Sequence, residues 1–160
     1  MKEYDPVPWD MLPQIYLYMD QVITYMEGHL KPFEAEDGTK LLTSSMINNY
    51  VKDNVLPRPE QKKYSPEHLA ILTVICMLKP VLSLPNISYR FNKGRLYNMF
   101  CKTQASALKE VAERVEQMSE RSENEMIRLA VELSMEANAR RIAAEKIVNE
   151  LSAKKKELEN

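Results

Sequence analysis

The chain has 160 residues, 44% of them hydrophobic, two cysteines and a formal net charge of −1. That length supports one compact domain plus an extension. Cys76 and Cys101 stand far apart, with no Cys-x-x-Cys and no histidine at ligand spacing, which argues against a disulfide framework and against zinc. The charge is unevenly spread. Residues 1–38 hold two basic and eight acidic side chains, 39–64 five and two, 65–104 five and one, and 105–160 ten and twelve, so +7 is gathered in the middle of an acidic whole. A polyanion would meet that local footprint rather than the overall balance.

The N-terminus, MKEYDPVPWDMLP, has no cationic head followed by an apolar run, so no secretory signal is evident and a cytoplasmic protein is expected. Pro6 and Pro8 suggest an extended arm over residues 1–11. Pro13 stands where the first turn of a helix accepts proline. Ile15, Tyr18, Met19, Val22, Tyr25, Met26 and His29 then recur at helical spacing until Gly28 and Pro32, which predicts a first helix with a buried aromatic and Met stripe. Residues 33–40 are an acidic loop containing Gly38, longer than a tight helix-turn-helix connection.

Thr43 or Ser44 is the expected N-cap of a second helix. At 100° per residue, Ser45, Asn48, Asn49 and Lys52 fall on one side, with Met46, Ile47, Tyr50 and Val51 opposite. Amides, a hydroxyl and a lysine can hydrogen-bond to base edges or phosphates. Asparagine is also a poor helix former, so two in mid-helix carry a local cost. Asn54 is placed for a left-handed residue just past the helix, Pro57 and Pro59 forbid helix, and Arg58, Lys62 and Lys63 gather in a short basic loop. Together they read as a recognition helix followed by a wing.

Two resemblances follow from these residues. Met46-Ile47-Asn48-Asn49-Tyr50, then Asn54-Val55-Leu56-Pro57, then Tyr64-Ser65-Pro66-Glu67 and the periodic Leu69, Leu72, Ile75 and Leu78 resemble the DNA-binding module of MerR-type regulators. Ile47, Tyr50, Leu56, Pro57, Tyr64 and Ser65 match that pattern. Asn48 and Asn49 stand where the family has Arg and Tyr, Asn54 where it has Gly, and Lys62 where it has the wing Arg. The phrases LTSSMINNYVK, KKYSPEHL and LKPVLSL look like the bacterial proteins grouped as domain of unknown function 1836, over roughly residues 12–88. The resemblance implies a MerR-like winged helix-turn-helix fold over residues 12–93. The candidate DNA contacts are Ser44, Ser45, Asn48, Asn49, Tyr50 and Lys52 on the recognition helix, with Arg58, Lys62, Lys63 and Tyr64 on the wing.

Ser65 then Pro66 signal a further helix start, whose apolar residues Leu69, Leu72, Ile75, Cys76 and Leu78 make one broad face ending near Lys79 before Pro80. The nearly apolar run over residues 69–78 is about half of what a membrane span needs, so it reads as core and no membrane partner is expected. Leu82, Leu84 and Ile87 suggest a short fourth helix, followed by Tyr89, Arg90, Lys93 and Arg95, a basic run that fits phosphate contact or a solvated helix end equally. After Gly94 there is no Gly or Pro, which predicts long helices over residues 94–160. Leu108, Val111, Ala112, Val115 and Met118 form one stripe. Ser122-Glu123-Asn124-Glu125 matches a capping box that starts the second long helix. Ala130, Ala137, Ala144, Leu151 and Leu158 then repeat every seven residues, flanked by Ile127, Leu133, Ile147 and Val148 and interrupted by Arg140 and Lys154. This seam fits a helical hairpin or coiled coil and points to a homodimer.

The expectation is therefore a mainly α protein: a winged helix-turn-helix followed by long C-terminal helices that dimerise or take an effector. Its function would be sequence-specific binding of double-stranded DNA in transcriptional regulation. The competing expectation is an adaptor that uses the same surface for protein contact. No Gly-rich phosphate loop, metal cluster or nucleophile-base set appears, and His29 and His68 are isolated, so no enzyme, cofactor or metal is expected. The sequence names no small-molecule effector.

Overall fold

Among the described residues five α-helices organise the chain: α1 (Met19–Leu30), α2 (Ser44–Lys52), α3 (Pro66–Leu78), α4 (Gly94–Glu116) and α5 (Glu123–Leu158). The computed structural model describes residues 4, 6–34, 37–83, 94–117 and 121–158. The expected short helix around Leu84 and Ile87, the run Tyr89, Arg90 and Lys93, and Met118 lie outside the described residues. The architecture is mainly helical. Among the described residues there is no β-strand, only two isolated antiparallel bridges, Leu17 with Tyr64 and Glu60 with Lys63.

α3 is the axis of the core. Every residue from His68 to Cys76 is buried, where one broad apolar face was expected. The helix is enclosed rather than amphipathic because α1 packs on one side and the start of α4 on another. Val22, Met26 and Leu30 of α1, Ile47 and Tyr50 of α2, and Tyr97, Phe100 and Cys101 of α4 complete the same cluster. Thr73, the polar residue at the centre of α3, donates its hydroxyl to the Leu69 carbonyl at 2.9 Å, so its burial leaves no unmet donor. The cysteines are core thiols, and burial pushes the Cys76 thiol up to about 11.

α1 starts later than its periodicity predicts. Pro13 to Tyr18 runs as an extended strap, because Leu17 exchanges two backbone hydrogen bonds with Tyr64, at 2.9 and 2.8 Å, and cannot enter a helix. The Gln21 side chain then accepts from the Tyr18 amide at 2.9 Å and starts the helix proper. Ile15 and Tyr18, expected in the buried stripe, are 66% and 50% exposed. His29 is also exposed, with its ring beside Tyr25.

The N-terminal residues fold back onto α4. The Trp9 amide donates to Asn98 Oδ1 at 2.8 Å, and its ring meets Tyr97 edge-on at 6.1 Å. Gly94 makes this possible, since a Cβ there would lie 2.8 Å from Trp9 Cγ.

Beyond this core the chain changes character. Ser122 and Glu125 form the expected cap, the Ser122 amide and hydroxyl donating to Glu125 Oε2 at 3.0 and 2.9 Å. Arg114 of α4 grips Glu136 of α5 through two parallel hydrogen bonds of 2.8 and 3.0 Å. Along α5 only Leu129 is buried among the described side chains, while Ile127, Ala130, Ala137, Ile147 and Leu151 of the seven-residue seam and its flanks are exposed.

Candidate nucleic-acid interface

The candidate surface is built on α2. Thr43 accepts the Met46 amide on its hydroxyl oxygen at 3.2 Å, which fixes the first turn. At the other end Asn54 adopts φ 56°. The Val55 amide reaches the Tyr50 carbonyl at 2.8 Å and the Asn54 amide the Val51 carbonyl at 3.2 Å. This is a Schellman ending, with asparagine in the left-handed position that most L residues avoid. Both caps match their sequence signals.

Between these caps the two faces separate cleanly. Ile47 is fully buried, and Met46 and Val51 pack partly against the core. Ser44, Ser45, Asn48, Asn49 and Lys52 are exposed. Tyr50 corrects the expectation: at 6% exposure its ring belongs to the core, and burial raises its phenol pKa. It sits on the same side of the helix as Ile47 and Val51, so helical geometry alone separates it from the polar face.

The basic loop that follows is rigidly based. His68 accepts the Ser65 amide on Nδ1 at 3.0 Å, which leaves Nε2 to carry the proton and donate to the Pro57 carbonyl at 3.2 Å. The ring therefore joins the N-terminus of α3 to the root of the loop in its neutral state, and burial lowers its pKa. The structural reading of His68 in a first helical turn holds. Gln61 and Lys62 form the centre of a tight hairpin turn, φ 48° and 64°, closed by the Lys63 amide on the Glu60 carbonyl at 2.8 Å. Positive φ at two successive non-glycine residues is strained and projects Lys62 at the tip.

Arg58 and Lys62 are exposed, and Lys63 is half-buried with its ammonium 5.3 Å from the Tyr18 ring centroid. Tyr64, the fourth expected wing residue, is instead 3% exposed, set edge-on to His68. It holds the loop to the core from inside. Sequence reasoning missed the strap of residues 13–18 altogether. Met11, Ile15, Tyr16 and Tyr18 are between 50% and 70% exposed on or beside it. An open groove of about 370 Å³ lies between strap and loop, lined by Trp9, Tyr16, Arg58, Glu60, Glu67 and His68 among others.

No helix among the described residues is long and apolar enough to cross a membrane, and none of their His, Cys, Asp and Glu side chains cluster as metal ligands. The chain belongs to the family described as domain of unknown function DUF1836, which it matches over residues 7–126. The match takes in the N-terminal residues that fold onto α4, all of α4 and the first turn of α5. No curated protein and no solved structure matches the chain.

Proposed function

We propose that the protein is a non-enzymatic transcriptional regulator that binds specific double-stranded DNA as a homodimer, through a MerR-like winged helix-turn-helix. One observation carries the reading. Ser44, Ser45, Asn48, Asn49 and Lys52 are all exposed on a doubly capped helix, which leads within ten residues into the exposed cations Arg58 and Lys62. Asn48 and Asn49 have the donor-acceptor pairs that read adenine in the major groove, while Arg58, Lys62 and Lys63 supply phosphate contacts. The two bridges at Leu17–Tyr64 and Glu60–Lys63 take the place of the strands of a larger wing.

The homodimer is supported by α5. Its exposed residues Ile127, Val131, Met135 and Ile142 recur at spacings of four, four and seven, a second apolar stripe besides the seven-residue seam. Residues 123–139 hold four acidic and one basic side chain, and residues 140–158 three and six, so the halves carry −3 and +3. Two copies laid antiparallel would set each acidic half against a basic one, and the pair would fix the distance between half-sites.

Two substitutions test the assignment. Asn49→Ala should relax sequence preference by about 1–3 kcal/mol of discrimination, with thermal melting unchanged. Lys63→Ala should weaken binding to every duplex alike and lower the salt dependence by about one phosphate contact. An Asn49→Ala protein that unfolds would reassign the α2 face to structure. A protein with no preferred duplex and no salt-dependent binding would instead favour an adaptor docking another protein.

A further inference from the structure

The strap and the basic loop together form one small ladder with two faces. Leu17 and Tyr64 are a directly opposed, doubly hydrogen-bonded pair, and both are buried, at 7% and 3%. Side chains alternate across an extended segment, so the neighbours of an inward residue point outward. Tyr16 and Tyr18 flank Leu17, and Lys63 precedes Tyr64. In antiparallel register Tyr18 faces Lys63, and the 5.3 Å approach of the Lys63 ammonium to the Tyr18 ring follows from that register. Tyr16 and Tyr18 are 54% and 50% exposed.

We infer that Tyr16 and Tyr18 form, with Lys63, the outer DNA-contacting face of the wing, and that they take the aromatic role that the sequence pattern assigns to Tyr64. The inference rests on the DNA-binding reading above. A tyrosine brings a flat apolar ring for deoxyribose and a hydroxyl that donates to a phosphate oxygen, with few torsions to freeze. The backbone of this strap is already fixed by the Leu17 pairing. Charge selects the partner: on the loop and groove beside the ladder Arg58, Lys62 and Lys63 outnumber Glu60 and Glu67, which leaves a net cationic rim. The Lys63 ammonium, 5.3 Å from the Tyr18 ring centroid, brings a cation for phosphate onto the same outer face as the ring.

The test uses the full-length protein and a duplex enriched from random sequence by the wild type. Tyr16→Ala with Tyr18→Ala should weaken binding about tenfold, to enriched and scrambled duplexes alike. Phe at both positions should give an intermediate loss, because the ring packing remains. Thermal melting should stay unchanged, since both side chains are exposed and the Tyr18 amide keeps its Gln21 partner. A second readout needs no variant: bound duplex should protect Tyr16 and Tyr18 of the wild type from iodination. If the double Ala protein binds like wild type, or iodination proceeds equally with duplex bound, the inference fails and the strap becomes a protein-docking patch. In that case a loss on Lys63→Ala would leave the DNA-binding reading intact. A folded wild type that enriches no duplex would overturn both.

Discussion

α3, almost wholly apolar, and α5, in which apolar residues alternate with many charged ones, meet solvent in opposite ways. Nine consecutive residues of α3 are buried around its whole circumference, while the 36-residue α5 buries only Leu129 among its described side chains. α3 gains its stability from neighbours drawn from three other helices and from the N-terminal residues. α5 draws on its own backbone, the Ser122–Glu125 cap and surface pairs such as Arg128–Glu132 and Arg141–Glu145. Such i, i+4 pairs contribute about 0.3–0.5 kcal/mol each. One helix is what the fold is made around; the other leaves nearly all of its described side chains open to solvent.

The contrast is sharpest in the core. Leu72→Ala, at a position with no exposure, should cost about 2–5 kcal/mol in urea unfolding. Gly94→Ala should cost about 1–3 kcal/mol, because its Cβ would press on the Trp9 ring. That second loss would show that the N-terminal residues and the start of α4 belong to the α3 core rather than to the extension.

His68 adds a pH signature. Burial holds its pKa below the ordinary value of 6.5, and its Nδ1 accepts a backbone amide, so the folded chain takes up a proton less readily than the unfolded one. This contribution is complete above about pH 6.5 and is lost as pH falls through the lower folded value. His68→Ala should cost about 1 kcal/mol at neutral pH through the lost cap, and should flatten the pH dependence of urea unfolding in that window. An unchanged slope would remove His68 from the account of how the loop is held.

Smaller effects follow at the ends of α2 and on α5. Asn54→Ala should cost about 1 kcal/mol for its left-handed backbone. Val131→Ser with Met135→Ser should change the unfolding of dilute protein by less than about 0.5 kcal/mol each. In sedimentation at high concentration the same pair should reduce self-association. A large loss of stability at dilution would mean that α5 is packed within the single chain.

What the sequence disclosed divides along a physical line. Thr43, Asn54, the Ser65-Pro66 start and the Ser122-Glu125 box are local signals, readable because each cap involves residues a few positions apart. The polar and apolar sides of α2 were equally legible from its period, and Ile47 against Asn48 and Asn49 bears that out. The start of α1 was hidden. Ile15 and Tyr18 satisfy a helical spacing to Met19 and Val22 by coincidence, and the Leu17–Tyr64 pairing that overrides it joins segments separated by two helices. Trp9 over Gly94 was hidden for the same reason. Tyr50 and Tyr64 carried a motif that suggested contact with a ligand, while their bulk served the core. The face and its framing loop were therefore readable, and the strap that exposes Tyr16 and Tyr18 beside them was not.

The central claim is that the α2 face reads duplex DNA, and the most direct measurement is selection of the purified protein against random duplexes, with the enriched pool bound at two salt concentrations. The account predicts enrichment of an inverted repeat whose binding weakens as salt rises, because neutralised phosphates release counterions. A folded protein that enriches no sequence, or binds with no dependence on salt, would contradict it.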